Sequence, residues 1–106
     1  YLYIDDLTES MLAIAGSEKV YGEVYNIGSG VPLSFVDLAK KIIAIAGTGK
    51  VDYTEFTSER KALEPGDYYA DISKIKAAIG WKPEISLDDG IKRTIEYYKK
   101  YRSHYW

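Results

Sequence analysis

Apolar positions along this chain follow a helical rhythm in four stretches. Leu7, Met11, Ile14 and Ala15 recur every three to four residues and give one apolar face. Asp5 or Asp6 stands before them as a cap, with Glu9 three beyond Asp6, and Gly16 is placed to end the helix. A broader stripe follows in Phe35, Leu38, Ala39, Ile42, Ile45 and Ala46. Ser34 is its predicted N-cap, Asp37 sits three residues later, and Gly47 stops it. A shorter helix is expected from a cap at Asp71 or Ser73 through Ile79. Gly80 there suits a left-handed turn, and Pro83 blocks continuation. Ser86 with Asp89 opens a last helix whose stripe is Leu87, Ile91, Ile95 and Tyr98. Its acids lie at the start and Lys99, Lys100 and Arg102 at the end, an order that complements the helix dipole. The tail "RSHYW" is expected to be loose.

Three other stretches break the helical rhythm. Residues 1–4 alternate and read as the end of a strand, residues 23–27 as a short buried strand, and Val51 to Tyr53 as another. Residues 55–69 are polar, carry the turn signature "EPGD", and read as a loop. Strands alternating with helices predict an α/β fold class: a small sheet of roughly two or three short strands with about four helices. Such a sheet would gain from strands supplied elsewhere.

Composition narrows the class. The chain has 106 residues, enough for one domain over 1–106 with a single core. Hydrophobic residues make up 46 % and charged residues 28 %, a globular balance. With a formal net charge of −2, a sequence-independent grip on nucleic acid is not expected. There are no cysteines, which removes disulfides, thiolate zinc sites and cysteine nucleophiles and fits a cytoplasmic location. Apolar runs are too short to cross a bilayer, so no membrane partner is expected, and nothing in the first residues marks a secretory signal. The first residues are "YLYIDD" with no methionine, so a piece of a longer protein is expected. Tyrosine is abundant, with 11 copies, spread over the predicted elements in a manner that suits rim packing more than one stacking surface.

The stretch "VYNIGSGVPLSF" at residues 24–35 has the strand, glycine turn and helix start of a phosphate cradle. Gly28 and Gly30 match the first two glycines of a dinucleotide fingerprint, and Asp52 lies where the acid belongs. Leu33 occupies the third small position, and Pro32 removes a backbone N–H from the cradle. A simple turn from strand to helix is the better reading, and no cofactor-binding residue is assigned. The single histidine, His104, sits three residues from the end and lacks the rigid setting of a catalytic base. No metal site is expected, since the acids mostly fit helix caps. None of the tyrosines has a lysine four residues on, the Y-x-x-x-K pair that would lower a phenol pKa on one helix face. No catalytic residue is therefore assigned. "SERKALEPGDYYADISK" gathers Arg60, Lys61 and Asp67 with two tyrosines. The guanidinium fork suits phosphate oxygens and the carboxylate suits ribose hydroxyls. On the residues alone a solvated surface turn is the better reading, since loops are ordinarily polar.

"YIDDLTESMLAI", "VYNIGSG" with "SFVDLAKKI", and "EPGDYYADISKIKAAIGWKPEISLDDGIKRTIEYYKK" together resemble the C-terminal part of an extended short-chain dehydrogenase/reductase. This is the NAD-dependent epimerase/dehydratase family, and the likeness spans nearly the whole chain in order. Its most specific piece is the "DISK" and "GWKP" run closing on a long helix. The resemblance implies the C-terminal part of an NAD-binding, Rossmann-type enzyme. NAD and the catalytic tyrosine and lysine would belong to sequence upstream of Tyr1. The chain would be a substrate-binding portion, inactive alone and with no NAD of its own. In the family an arginine before a Gly-Asp pair holds the substrate diphosphate and the aspartate meets the ribose. Gly66 and Asp67 match that pair, while the usual arginine position falls near Glu64, so the resemblance points to Arg60 and Asp67 as substrate-binding residues. The implied parent is UDP-glucose 4-epimerase-like, acting on a UDP-hexose. There the tyrosine takes the 4-hydroxyl proton and hydride passes to NAD, then returns on the opposite face of the turned keto sugar. The alternatives are a nucleotide-sugar 4,6-dehydratase and an autonomous binding module on the same scaffold. An apolar face left towards the missing half is expected to drive self-association.

Overall fold

The structure, a computed structural model, describes every residue except Pro65 and Asp67. Five α-helices follow one another among the described residues: α1 (Ile4–Ala15), α2 (Phe35–Ala46), α3 (Ser58–Leu63), α4 (Ser73–Ile79) and α5 (Leu87–Lys100). Short 3₁₀ turns lie at Glu18–Val20 and Arg102–His104. None of the described residues forms a β-strand, which corrects the α/β expectation. Ile4 starts α1 instead of ending a strand, and residues 23–27 and 51–53 are irregular. A strand exists only where a neighbour completes its ladder, and among the described residues no ladder forms on these segments. Their side chains agree: Val24 is 82 % exposed and Tyr53 75 %. A short apolar run thus signals capacity to pair, and pairing needs a second backbone.

The helices form where local signals place them. Ser34 Oγ accepts from the Asp37 N–H at 3.0 Å and donates to the Asp37 carboxylate at 2.7 Å, which opens α2 as expected. Ser86 does the same for Asp89 at the head of α5. Gly47 and Gly80 end α2 and α4 with φ of 72° and 73°, a left-handed backbone that residues with a β-carbon rarely adopt. The stretch read as a loop contains α3, because Thr57 Oγ1 accepts from the Arg60 N–H at 3.2 Å and caps it.

Two packing units hold the helices. α2 packs on α5, with Ile91 buried. α4 lies against the Glu18–Val20 turn, and each brings one fully enclosed side chain, Ile75 and Val20. Asp6 links α1 to the segment before α5. It is 5 % exposed, and its carboxylate accepts the backbone N–H groups of Glu84 at 2.9 Å and Ile85 at 3.1 Å. The sequence offers Asp5 or Asp6 as the helix cap; the helix begins earlier, after Tyr3 with no side-chain cap, and leaves Asp6 for this non-local task. The tail folds back on α5, with the Trp106 ring stacked on Tyr98 at 5.9 Å and the Tyr97 and Tyr105 hydroxyls 3.2 Å apart. No helix among the described residues is long and apolar enough to cross a membrane.

Candidate functional site

The glycine turn and the segment after Gly66 come together although about forty residues of chain separate them. Three contacts seat residues 70–74 along residues 23–30. Lys74 Nζ donates to Glu23 Oε2 at 2.8 Å and to the Val24 carbonyl at 2.9 Å, and lies 4.8 Å from the Tyr25 ring centre. Ile72 packs beside Gly30, where φ is 70°. Ala70 packs beside Gly28 so closely that a β-carbon on Gly28 would lie 2.6 Å from that of Ala70. Asp71 turns the chain into α4 by accepting from the Ser73 N–H at 2.9 Å, a bond that lowers its pKa. The hydrogen bond from Lys74, helped by its charge, also lowers the Glu23 pKa, and the same bond raises that of Lys74.

Two clefts flank this junction. The smaller, about 220 Å³, lies between Tyr68, Tyr69 and Ala70 on one side and Ile27, Gly28 and Ser29 on the other. The larger, about 670 Å³, is mostly apolar and runs from Tyr1 past Val31 and Leu33 to Ile42 of α2 and Ile91 and Ile95 of α5. The Lys41–Asp88 ion pair, 2.6 Å long, joins α2 to the start of α5 at its edge. Such a volume suits a small-molecule ligand.

Of the two residues singled out in the sequence, Arg60 lies on α3 with its side chain 61 % exposed, and it lines neither cleft. Its guanidinium is 3.6 Å from Glu64 and 5.8 Å from the Phe56 ring centre, a loose pairing that leaves the fork open to solvent. Asp67 lies outside the described residues. Glu64, the acid at the usual arginine position, is thus a partner of Arg60 across one helical turn. Sequence reading missed the roles of Gly28, Ala70 and Lys74. "DISK" was legible as a motif, but the partners of its lysine at residues 23–25 were not. No group of three potential metal ligands occurs among the described residues.

The glycine turn does not fit a dinucleotide pyrophosphate. Ala70 fills the space above Gly28, and the first turn of α2 already has its donor at Asp37 satisfied by Ser34.

A chain of helices in which residues 70–74 lie along a glycine turn matches a known group of proteins. The family model described as GDP-mannose 4,6 dehydratase matches residues 1–94. The chain belongs to this family, within the extended short-chain dehydrogenases/reductases of the NAD-dependent epimerase/dehydratase type. Curated relatives include the low-salt glycan biosynthesis protein Agl12 of Haloferax volcanii, 39 % identical over 98 residues, covering 92 % of this chain and 30 % of that protein. The mouse dTDP-D-glucose 4,6-dehydratase is 34 % identical over 110 residues, covering 100 % of this chain and 30 % of that protein. Among solved structures, the UDP-glucose 4-epimerase of Thermotoga maritima with UDP-glucose aligns with a TM-score of 0.77 at 31 % identity, over 94 % of this chain and 31 % of that one. The Bordetella bronchiseptica enzyme WbmF, in complex with NAD+ and UDP, gives a TM-score of 0.77 at 30 % identity, over 98 % of this chain and 29 % of that one. The chain spans about 30 % of the length of the curated relatives it matches.

Proposed function

We propose that this chain is the nucleotide-sugar-holding portion of an NAD-dependent sugar-nucleotide epimerase of the UDP-glucose 4-epimerase kind. The observation that carries the reading is the fit, over nearly the whole chain, to an epimerase determined with UDP-glucose. Arg60 supplies a guanidinium fork for the diphosphate, and its open, loosely paired setting supports that role. Asp67 accepts the ribose hydroxyls, as the matching Gly66–Asp67 pair suggests. NAD supplies hydride acceptance and return at the sugar C4 in the intact enzyme, and residues outside this chain hold it. The contribution of this chain is to fix the nucleotide so that only the hexose turns.

A second reading, a nucleotide-sugar 4,6-dehydratase, is favoured by the description of the family model and by the mouse relative. Product mass separates the two. The full-length enzyme carrying this chain, given UDP-glucose and NAD, is expected to return an isomer of unchanged mass, inverted at C4. A product lighter by one water overturns the epimerase reading in favour of the dehydratase. In the same enzyme, Arg60→Ala and Asp67→Ala are expected to weaken UDP binding in a titration while leaving the fold intact. Unchanged affinity in both variants removes these residues from the site. The 106-residue chain alone is expected to self-associate through apolar residues such as Ile4, Met11 and Leu12, which lie together on the exposed face of α1. A sedimentation coefficient that stays monomeric as concentration rises overturns that.

A further inference from the structure

We propose that Gly28 and Ala70 are a positioning pair: the missing side chain of one admits the other, and this contact seats Tyr68–Ala70 beside the glycine turn for nucleotide-sugar binding. The inference rests on the binding role proposed above for Asp67, and its structural half stands without it.

Several features single the contact out. A β-carbon on Gly28 would come within 2.6 Å of the Ala70 β-carbon, a separation that folded proteins do not tolerate. Two other glycines of the same half, Gly22 and Gly47, have open space at that position and are explained by their positive φ alone. Gly28 does not have a positive φ, so close approach is its physical reason. Beyond Ala70, toward the C-terminus, the chain is secured by Asp71 on Ser73 and by Lys74 on Glu23 and Val24. Toward the N-terminus, Tyr68 and Tyr69 are exposed and reach the glycine turn only as walls of the small cleft. Ala70 is therefore where the chain passes from the exposed Tyr68 and Tyr69 to a fixed segment. A side chain at position 28 would push Ala70 away and displace Tyr68 and Tyr69 with it. Misplacing a substrate-holding group by a small distance weakens binding without touching the reacting atoms.

The test is a two-by-two set in the full-length enzyme: Gly28→Ala, Ala70→Gly, both together, and the parent. Gly28→Ala is expected to raise the KM for the nucleotide sugar by about tenfold with kcat unchanged, and adding Ala70→Gly is expected to restore it. Amide hydrogen exchange at Gly66 and Tyr68–Ala70 is read on the same proteins. Exchange should quicken in Gly28→Ala and return to the parental rate in the double variant. An unchanged KM in Gly28→Ala overturns the proposal. So does a loss that Ala70→Gly fails to restore, or one that lowers kcat and thermal stability together, because each of these marks general disruption. If the parent enzyme binds no nucleotide sugar, the functional reading fails; rescue of the exchange rates then still upholds the seating contact, and its absence removes that too.

Discussion

α3 and α5 begin with the same bond. Thr57 caps one and Ser86 the other, each with its hydroxyl 3.2 Å from the N–H three residues on. Their fates differ. α5 lies against α2 and buries Ile91 and Gly90, while every residue of α3 is exposed, with Leu63 at 78 %. A cap therefore decides where a helix starts; it does not decide whether the helix is held. Most of the stability of a short helix comes from the face it buries, and α3 buries none.

That contrast can be broken most sharply in the core. Ile91→Ala should destabilise the chain by about 2–5 kcal/mol, whereas Leu63→Ala should stay within about 0.5 kcal/mol in the same denaturant titration. Equal effects would mean that α3 packs against something in solution. Asp6→Ala comes next, at about 2 kcal/mol, because it strands two backbone donors at Glu84 and Ile85 near the head of α5. Hydrogen exchange should quicken at those two amides first; uniform quickening would deny Asp6 its local role. Ser86→Ala should lower global stability by about 1 kcal/mol, and Thr57→Ala should fray α3 with no global change. Matching losses of unfolding midpoint would erase the distinction between the two caps.

The smallest expected effect is a pH dependence at the Glu23–Lys74 tie. Glu23 titrates below its ordinary 4.5 because Lys74 bonds to it. Its contribution is whole above pH 4.5 and fades as pH falls through the lowered folded value. Lys74 titrates above its ordinary 10.5, so its contribution is whole below pH 10.5 and fades as pH rises through the raised value. The stability difference between the parent and Lys74→Met should be flat between these limits and shrink outside them. A difference that ignores pH across the acid limb would show that the tie contributes nothing. Both partners are exposed, so added salt should flatten the curve further.

Legibility followed range of interaction. Ser34, Ser86, Gly47 and Gly80 were readable because a cap or a left-handed turn involves atoms within a few residues. Thr57 was equally local, yet the polar run around "EPGD" masked it. The strands failed for the opposite reason: apolar runs at 23–27 and 51–53 announce only one side of a pairing. Arg60 was singled out by its chemistry and its family context, and its setting on a helix, loosely paired with Glu64, came from the structure.

The sequence by itself determined where α2 and α5 begin, where α1, α2 and α4 end, and which family's pattern the chain follows, since all of these reside in short-range order along the chain. The tertiary structure decided that Asp6 holds residues 84–85 instead of capping α1, that no sheet forms among the described residues, and that Ala70 packs against Gly28. Each of these depends on what a distant segment brings within a few ångströms, and no local spacing encodes that distance.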